Sequence, residues 1–493
     1  MKNYIIIFFV AFCFPAISCA QQYDFNKRCI DAYTYIQELR FEKGRQLLEL
    51  EKKENPKNLI PYYVENYIDF LTTYINENEA EFDKLEPNKT IRLDKLKTGD
   101  QQSPYYLYCQ AELLIQWSFS KLKFEEYLSA FTDVRKAYLL LEENEKKFPD
   151  FMANKKSLGM LHAIVGAIPD QYKWGVNMLG MDGSIDQGLK ELKSIIEYSK
   201  TNTFIFKQEV YLYYAFIELY LGRDATTAWN IVKDLDTKTN LINVFCKASV
   251  AMRTGRNDLA LQVLTSRPTG SEYMQYHYLE FMTGLAKVRK LDAGSSAHFE
   301  KFITSYKGKN YIKEAYQKMA WMALINGNKE KYWEYMYYIK SRGDDLIDDD
   351  KRSLYEDERK KMPNVTLLKS RLLFDGGYYK DALKQLEGKS AESFSNDKDK
   401  TEFTYRAGRI YDMAGMPDKA KGFYLATIKF GSDLPYYYAA GSAFYLANIY
   451  ETEKDYASAT KYYQMCLDMD NKEYQTSLDG LAKAGLNRVK GKK

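Results

Sequence analysis

The sequence predicts an all-α protein of the α-solenoid class, in which antiparallel helix pairs stack one after another. Three observations carry this prediction. The chain has 493 residues, which is long for one compact core. It holds few prolines and glycines (11 and 27) and 28% charged residues, a composition that favours helices over sheets. Segments that resemble one another also recur along it, as they do in arrays of helix pairs.

The first element, residues 1–20, is typical of an export signal. Lys2 precedes an uncharged apolar run at 4–17, which is too short to span a bilayer as a helix. Two processing routes stay open. Small residues before Gln21 suit ordinary cleavage, whereas residues 16–19 form an imperfect lipobox, similar to those of bacterial lipoproteins, that would place a lipid on Cys19. Either route predicts an exported protein of the periplasm or outer membrane. Only lipidation of Cys19 would bring the mature chain into contact with a membrane.

Residues 21–342 are expected to form a divergent N-terminal array of helix pairs. Its units share a small residue followed four positions later by a large apolar one, as in Gly44 with Leu48 and Ala260 with Leu264. A small residue on the second helix of a pair lets the two backbones approach, and the large residue fills the space beside it.

The glycine-rich stretch "GMDGSIDQGLKEL" (180–192) could be either a ligand-binding loop or a helix start. A phosphate loop needs Lys after its last glycine, where this chain has Leu189, and the acidic spacing of a calcium loop is absent. In the repeat register, Gly183 takes the turn and Gly188 the small position, and Ser184 opens a capping box. The stretch is therefore interpreted as a repeat turn, with alanine expected to be tolerated at 188.

Residues 343–362 interrupt the period and include the acidic run "DDLIDDDKRSLYEDE" (344–358). A solvated insertion or linker between two blocks of repeats is predicted here, because charge runs usually face solvent. Binding of a divalent cation or of a basic partner is the alternative.

The repeat is clearest over 363–470, the predicted C-terminal array. Its small positions, Ala382, Ala420 and Ala459, are 38 and 39 residues apart, and each has a large residue four positions later. Residues 471–493 are expected to form a capping helix with a basic tail.

These skeletons resemble the tetratricopeptide repeat (TPR) family, most clearly over 363–470. The resemblance implies a TPR-like superhelix with a groove that holds proteins or peptides. Residues 157–189 also resemble a segment of the eukaryotic TPR family linked to inclusion-body clearance, which implies shared architecture. That segment predicts an extra apolar helix at 151–168, tucked into the groove.

Catalytic and metal-binding patterns are missing from the sequence. The three histidines are far apart, the cysteines form no CxxC pair, and no complete catalytic motif is found. Basic and acidic residues nearly balance, at 71 and 67, which gives no reason to expect nucleic acid. No enzyme activity, metal or cofactor is therefore expected.

Tyrosine is abundant, with 44 residues, and several tyrosines are adjacent in pairs. Adjacent residues on a helix point about 100° apart, so the members of a pair cannot all face inward. The candidate groove aromatics are Tyr213, Tyr214, Tyr337, Tyr338 and Tyr437. The sequence thus predicts a non-enzymatic envelope scaffold that binds a protein or peptide partner in its groove; a surface lipoprotein that binds glycan or another small ligand is the alternative.

Overall fold

The computed structural model describes residues 22–168, 178–222, 224–358, 361–471 and 473–492. These residues form helices joined by turns, and the one extended pairing among them is a single parallel bridge between Gln22 and Asn58. Consecutive helices pack on each other in pairs. The all-α, α-solenoid prediction is confirmed. Cys19 and the predicted signal segment lie outside the described residues.

The chain divides into two units, and the longest segments of the two meet between Tyr213 and Tyr214. Unit 1 holds residues 22–74, 78–213 and 271–274, apart from the undescribed stretch. Its helices are α1 (Lys27–Gln37), α2 (Phe41–Glu54), α3 (Ile60–Asn76), α4 (Glu79–Leu85), α5 (Pro87–Leu96), α6 (Pro104–Lys123), α7 (Tyr127–Lys147), α8 (Met152–Gly166), α9 (Ile185–Tyr198) and α10 (Lys207–Ile217). The last residues of α3 and of α10 belong to unit 2.

Unit 2 holds residues 75–77, 214–270 and the chain from 275 onward. Its helices are α11 (Ala225–Val232), α12 (Leu241–Arg253), α13 (Asn257–Thr265), α14 (Tyr278–Arg289), α15 (Ser295–Ser305), α16 (Ile312–Ile325), α17 (Lys329–Ser341), α18 (Asp348–Glu358), α19 (Val365–Asp375), α20 (Tyr379–Leu386), α21 (Asp397–Met413), α22 (Pro417–Gly431), α23 (Tyr438–Thr452), α24 (Tyr456–Asp468) and α25 (Gln475–Val489). The last helix packs against α23 and α24 and covers their pair.

The small positions of the repeat lie inside the helix pairs. All are fully buried where they are alanine, at Ala260, Ala382, Ala420 and Ala459. At Gly44 a Cβ would come within 2.5 Å of Ile36 Cγ1 on the preceding helix. Small side chains are needed here because the neighbouring helix leaves no further room.

The glycine-rich segment is an ordinary helix pair with an unusually close contact. Helix α8 packs along α9 as its partner, so the predicted extra helix in a groove is wrong. A Cβ at Gly188 would lie 2.2 Å from the carbonyl oxygen of Gly159, and one at Gly183 would lie 2.6 Å from His162 Cα. Ser184 Oγ caps α9 by accepting a bond from the N–H of Gln187 at 3.1 Å. The turn interpretation fits this geometry, but tolerance of alanine at 188 does not.

The acidic segment 343–362 contains the packed helix α18, which differs from the expected solvated insertion. Asp350 is fully buried and accepts bonds from the backbone N–H groups of Tyr311 (2.6 Å) and Glu314 (2.8 Å). Glu356 accepts a bond from Trp321 Nε1 at 2.8 Å. Asp350 accepts these backbone bonds because the first N–H groups of α16 lack partners within their own helix. Burial raises the pKa of Asp350 to about 7.

Candidate binding surface

Neither a metal centre nor a reactive thiol is present in the part of the chain that the structure describes. No group of three or more His, Cys, Asp or Glu side chains there could hold a metal ion. The free cysteines of these described residues are all buried, at Cys29, Cys109, Cys246 and Cys466. Within the same residues, no helix combines the length and the apolar character that crossing a bilayer requires.

The interior of unit 1 contains a buried ion cluster made of Glu112, Lys156 and Glu209. Lys156 Nζ donates to Glu112 Oε2 at 2.6 Å and to Glu209 Oε2 at 2.9 Å, and its side chain is wholly buried. The hydroxyls of Tyr33 and Tyr67 donate to Glu209. Burial lowers the pKa of Lys156, but the two carboxylates outweigh burial and raise it, so the lysine is charged. The cluster ties α1, α3, α6, α8 and α10 together.

Aromatic rings surround this ion cluster. Phe25 meets Tyr63 and Phe206 edge to face, with ring centroids 6.4 and 5.8 Å apart. Phe206 also lies 5.0 Å from Lys156 Nζ, a cation–π contact. Unit 1 therefore uses its inward aromatics to pack its own core around a satisfied polar centre, and the ion cluster has a structural role.

The five predicted groove tyrosines do not form one site. Tyr213 lies in unit 1, where its hydroxyl donates to Glu209 Oε2 at 3.1 Å. Tyr214 is only 6% exposed, so it belongs to the core and not to an accessible groove. Tyr337 is 67% exposed, whereas Tyr338 is half-buried beneath Arg342, whose Cζ lies 4.4 Å from the ring centroid. Tyr437 alone lies among other groups suited to ligand binding.

Those groups form the arginine–tyrosine cluster of unit 2, defined as Arg352, Arg371, Arg406, Tyr437 and Tyr474. The rings of Tyr437 and Tyr474 meet at 4.8 Å with an interplanar angle of 68°. Arg352 Cζ lies 5.4 Å from the Tyr474 ring centroid, and Arg406 Nη2 lies 3.4 Å from the Tyr437 hydroxyl. The arginines come from α18, α19 and α21, and the two tyrosines directly precede α23 and α25, at their N-cap positions.

The three arginines differ in how well their charges are paired. Arg406 is buried and forms an ion pair with Glu402 at 3.1 Å. Arg352 forms an ion pair with Asp349 of its own helix. Arg371 is 34% exposed, its nearest carboxylate oxygen is 3.9 Å away on Asp375, and no described residue accepts a hydrogen bond from it. The N-terminal ends of α23 and α25 add positive partial charge. The cluster is therefore a partly open group of guanidinium groups and aromatic rings, in which each guanidinium has a carboxylate of this chain within 4 Å.

Sequence reasoning found one member of this cluster, Tyr437, and missed the arginines. One signal was available: Arg371 and Arg406 lie 35 residues apart on the first helices of successive pairs, α19 and α21. Arg352 could not be recognised, because it lies on α18, which was predicted as a linker. Tyr474 adopts a left-handed backbone with φ +58°, which no pattern in the sequence marks.

Comparison with known proteins shows only a distant structural likeness. No family model matches the sequence, and no curated protein matches it. The chain is similar to a chain in the structure of Naa15/Naa10 bound to HypK-THB, at 14% identity and a TM-score of 0.24, over 94% of this chain and 66% of that chain, just under two thirds of its length. It is also similar to yeast Tom70, at 13% identity and a TM-score of 0.22, over 94% of this chain and 95% of that one. Likeness at these TM-scores carries no argument about function.

Proposed function

We propose that this chain is a non-enzymatic scaffold that holds a protein or peptide partner on the arginine–tyrosine cluster of unit 2. The observation that carries the proposal is Arg371, whose side chain is 34% exposed, whose nearest carboxylate oxygen is 3.9 Å away on Asp375, and which no described residue hydrogen-bonds. Its Cζ also lies 4.9 Å from the ring centroid of Trp321. Arginine, tyrosine and tryptophan are the residues that most often dominate binding energy at protein interfaces.

A selection from a displayed library of random decapeptides tests this proposal. The wild-type protein is expected to enrich a subset of peptides, and Arg371→Glu is expected to lose them, because the charge of this side chain is reversed. Arg45→Glu, at an exposed position of α2 in unit 1, is the matched control and should retain the same peptides. Peptides that bind all three proteins equally, or a failure to enrich any, would remove the proposal. Saturable binding on a glycan array instead would favour the alternative of a glycan-binding protein.

The proposal extends to location: the chain is exported and anchored by a lipid on Cys19. The apolar run at 4–17 and the imperfect lipobox at 16–19 support it. Cys19→Ala is expected to move the protein from the membrane fraction to the soluble fraction without changing its circular dichroism spectrum. A wild-type protein that is soluble and begins at Gln21 would show that ordinary cleavage operates instead.

A further inference from the structure

Helix α18 is held against unit 2 by polar groups rather than by an apolar face. Its buried side chains are Asp350, Ser353 and Asp357, and its one aliphatic side chain, Leu354, is only partly buried. Elements with few buried apolar contacts open more readily than the rest of a protein. The docking of α18 therefore depends on its hydrogen bonds.

Asp350 is a buried carboxyl group without a counter-ion. It accepts bonds from the backbone N–H groups of Tyr311 (2.6 Å) and Glu314 (2.8 Å) at the start of α16. No lysine, arginine or histidine among the described residues pairs with it. Burial disfavours the charged form of a carboxyl group and here outweighs the two backbone bonds, which favour it. Docked Asp350 therefore holds its proton more tightly than a free carboxyl group does, as its pKa of about 7 also indicates.

The titratable groups that face Asp350 act in the same direction. Glu314 of α16 and Asp349 of α18 are acidic and raise its pKa further, although each is itself paired with a cation of its own helix. Tyr306, directly after α15, remains neutral, because burial and then the charges of Glu77 and Asp350 raise its pKa. No neighbour thus supplies the positive charge that an ionised Asp350 lacks.

Helix α18 also covers a ring that lies beside Arg371. Glu356 accepts bonds from Trp321 Nε1 and from Gln317 Nε2, both at 2.8 Å. Trp321 is only 2% exposed, and its ring centroid lies 4.9 Å from Arg371 Cζ. Departure of α18 would free both N–H donors and uncover this edge of the indole ring.

We propose that α18 is a proton-dependent latch, which closes over Trp321 when Asp350 is protonated and opens when Asp350 ionises and moves into water. As a control of access to the binding surface, this inference rests on the proposed function; the latch itself does not. Because the docked carboxyl group has a pKa of about 7 and the ordinary value is 3.8, docking is most favourable below pH 3.8 and weakens as the pH rises through 7. The ratio of open to closed α18 is expected to rise about thirtyfold between pH 5.5 and 8.0.

Backbone hydrogen exchange followed by mass spectrometry tests the inference. Wild-type protein is compared at pH 5.5 and 8.0, and the rates are corrected for the intrinsic acceleration of amide exchange with pH. The opening constant of the peptide that contains α18 is expected to be about thirtyfold larger at pH 8.0. Peptides from α22, in the same unit, should show no such increase.

Matched variants assign the effect to one carboxyl group. Asp350→Asn cannot ionise, so the protection of α18 should be the same at both pH values. Asp348→Asn removes an exposed carboxylate from the same helix and should keep the wild-type change. Circular dichroism spectra of the variants must match that of the wild type, and Asp350→Ser, which also accepts hydrogen bonds without ionising, replaces an Asp350→Asn protein that does not fold.

Two outcomes would overturn the inference. Equal protection of α18 in the wild type at both pH values would show that its docking does not depend on a proton. A pH dependence that persists in the uncharged variant would assign the effect to another group. Both measurements are made without ligand, so either failure leaves the proposed function standing, whereas a protein that enriches no peptides loses the proposed function and keeps the latch.

Discussion

Replacement of Gly188 by alanine tests the closest helix contact in unit 1. Two effects oppose each other at this position. Alanine is the better helix former by up to about 1 kcal/mol. Its Cβ, however, would lie 2.2 Å from Gly159 O and 2.8 Å from both the amide nitrogen and Cβ of Ala163. An ordinary contact needs at least about 3.4 Å, so α8 and α9 must separate by about 1 Å.

The steric effect is larger because two of these atoms are backbone, which cannot rotate away. Overpacking of this kind costs about 1–3 kcal/mol, and a shift of α8 also disturbs the neighbouring contact of Gly183 with His162. A net loss of about 2 kcal/mol in the free energy of unfolding is therefore expected for Gly188→Ala.

A matched control separates helix propensity from packing. Gly422 lies inside α22, and a Cβ there would meet nothing within 4 Å. Gly422→Ala is therefore expected to stabilise the protein by up to about 1 kcal/mol. Urea unfolding followed by circular dichroism, read as the midpoint of the transition, measures both variants. A Gly188→Ala protein as stable as the wild type would refute the close approach of α8 and α9.

Three further predictions concern stability. Lys156→Met is expected to lower the free energy of unfolding by about 3–5 kcal/mol, because it leaves two buried carboxylates without a cation. Replacing Glu112 and Glu209 by glutamine as well should recover part of the loss. An unchanged urea midpoint for Lys156→Met would contradict a charged lysine. Burial raises the pKa of Glu280. Hydrogen bonds from His298 and Lys301 on α15 and the charge of Arg267 outweigh burial and lower the pKa to about 2. Because the folded-state pKa lies below the unfolded value of 4.5, this carboxylate contributes stability above pH 4.5, and the contribution is lost as the pH falls towards 2, about 3 kcal/mol in all. Glu280→Gln should therefore flatten the stability–pH curve between pH 4.5 and 2. A variant whose stability falls with acid as steeply as that of the wild type would disprove the low pKa. Gly377→Ala and Gly415→Ala should each lower the free energy of unfolding by about 1–2 kcal/mol, because both glycines have positive φ. Gly377→Ala should cost more than Gly415→Ala, since its Cβ would lie 2.1 Å from Gly255 O. Equal melting temperatures for the two variants would argue against that contact.

The repeat could be predicted because its rules are local. The spacing of Ala382, Ala420 and Ala459 alone identifies the buried small positions, and each is fully buried. The same rule could not distinguish Gly188 from these alanines, because the difference lies in how closely α8 approaches. Nothing near Tyr213 in the sequence indicates that its hydroxyl meets a buried carboxylate.

The candidate site was less predictable for the same physical reason. Tyr437 was found because it lies in a run of adjacent tyrosines. Arg352 and Tyr474 come together beside Tyr437 only through folding of elements that are far apart in the chain. The acidic segment was misjudged because a charge run usually faces solvent, whereas Asp350 caps a helix that begins 38 residues before it.

The contact between the turns at Gly255 and Gly377 has a consequence for how unit 2 unfolds. In a simple repeat array each repeat touches only its neighbours, so unfolding can proceed from one end, repeat by repeat. Here two turns 122 residues apart are packed together, and Asn257 Nδ2 bonds the Tyr378 hydroxyl at 3.1 Å.

A second bond of this kind joins Asn310 Nδ2 to Glu77 at 2.6 Å, across 233 residues. Within unit 2, opening of the array between Gly255 and Gly377 from either end breaks the contact between the two turns, so these repeats are expected to melt together, in one cooperative step. Contacts between distant parts of the chain also slow folding, because long loops must close before the contacts stabilise anything. Loss of a whole repeat during evolution would misalign these pairs, which makes the number of repeats in this unit a constrained quantity.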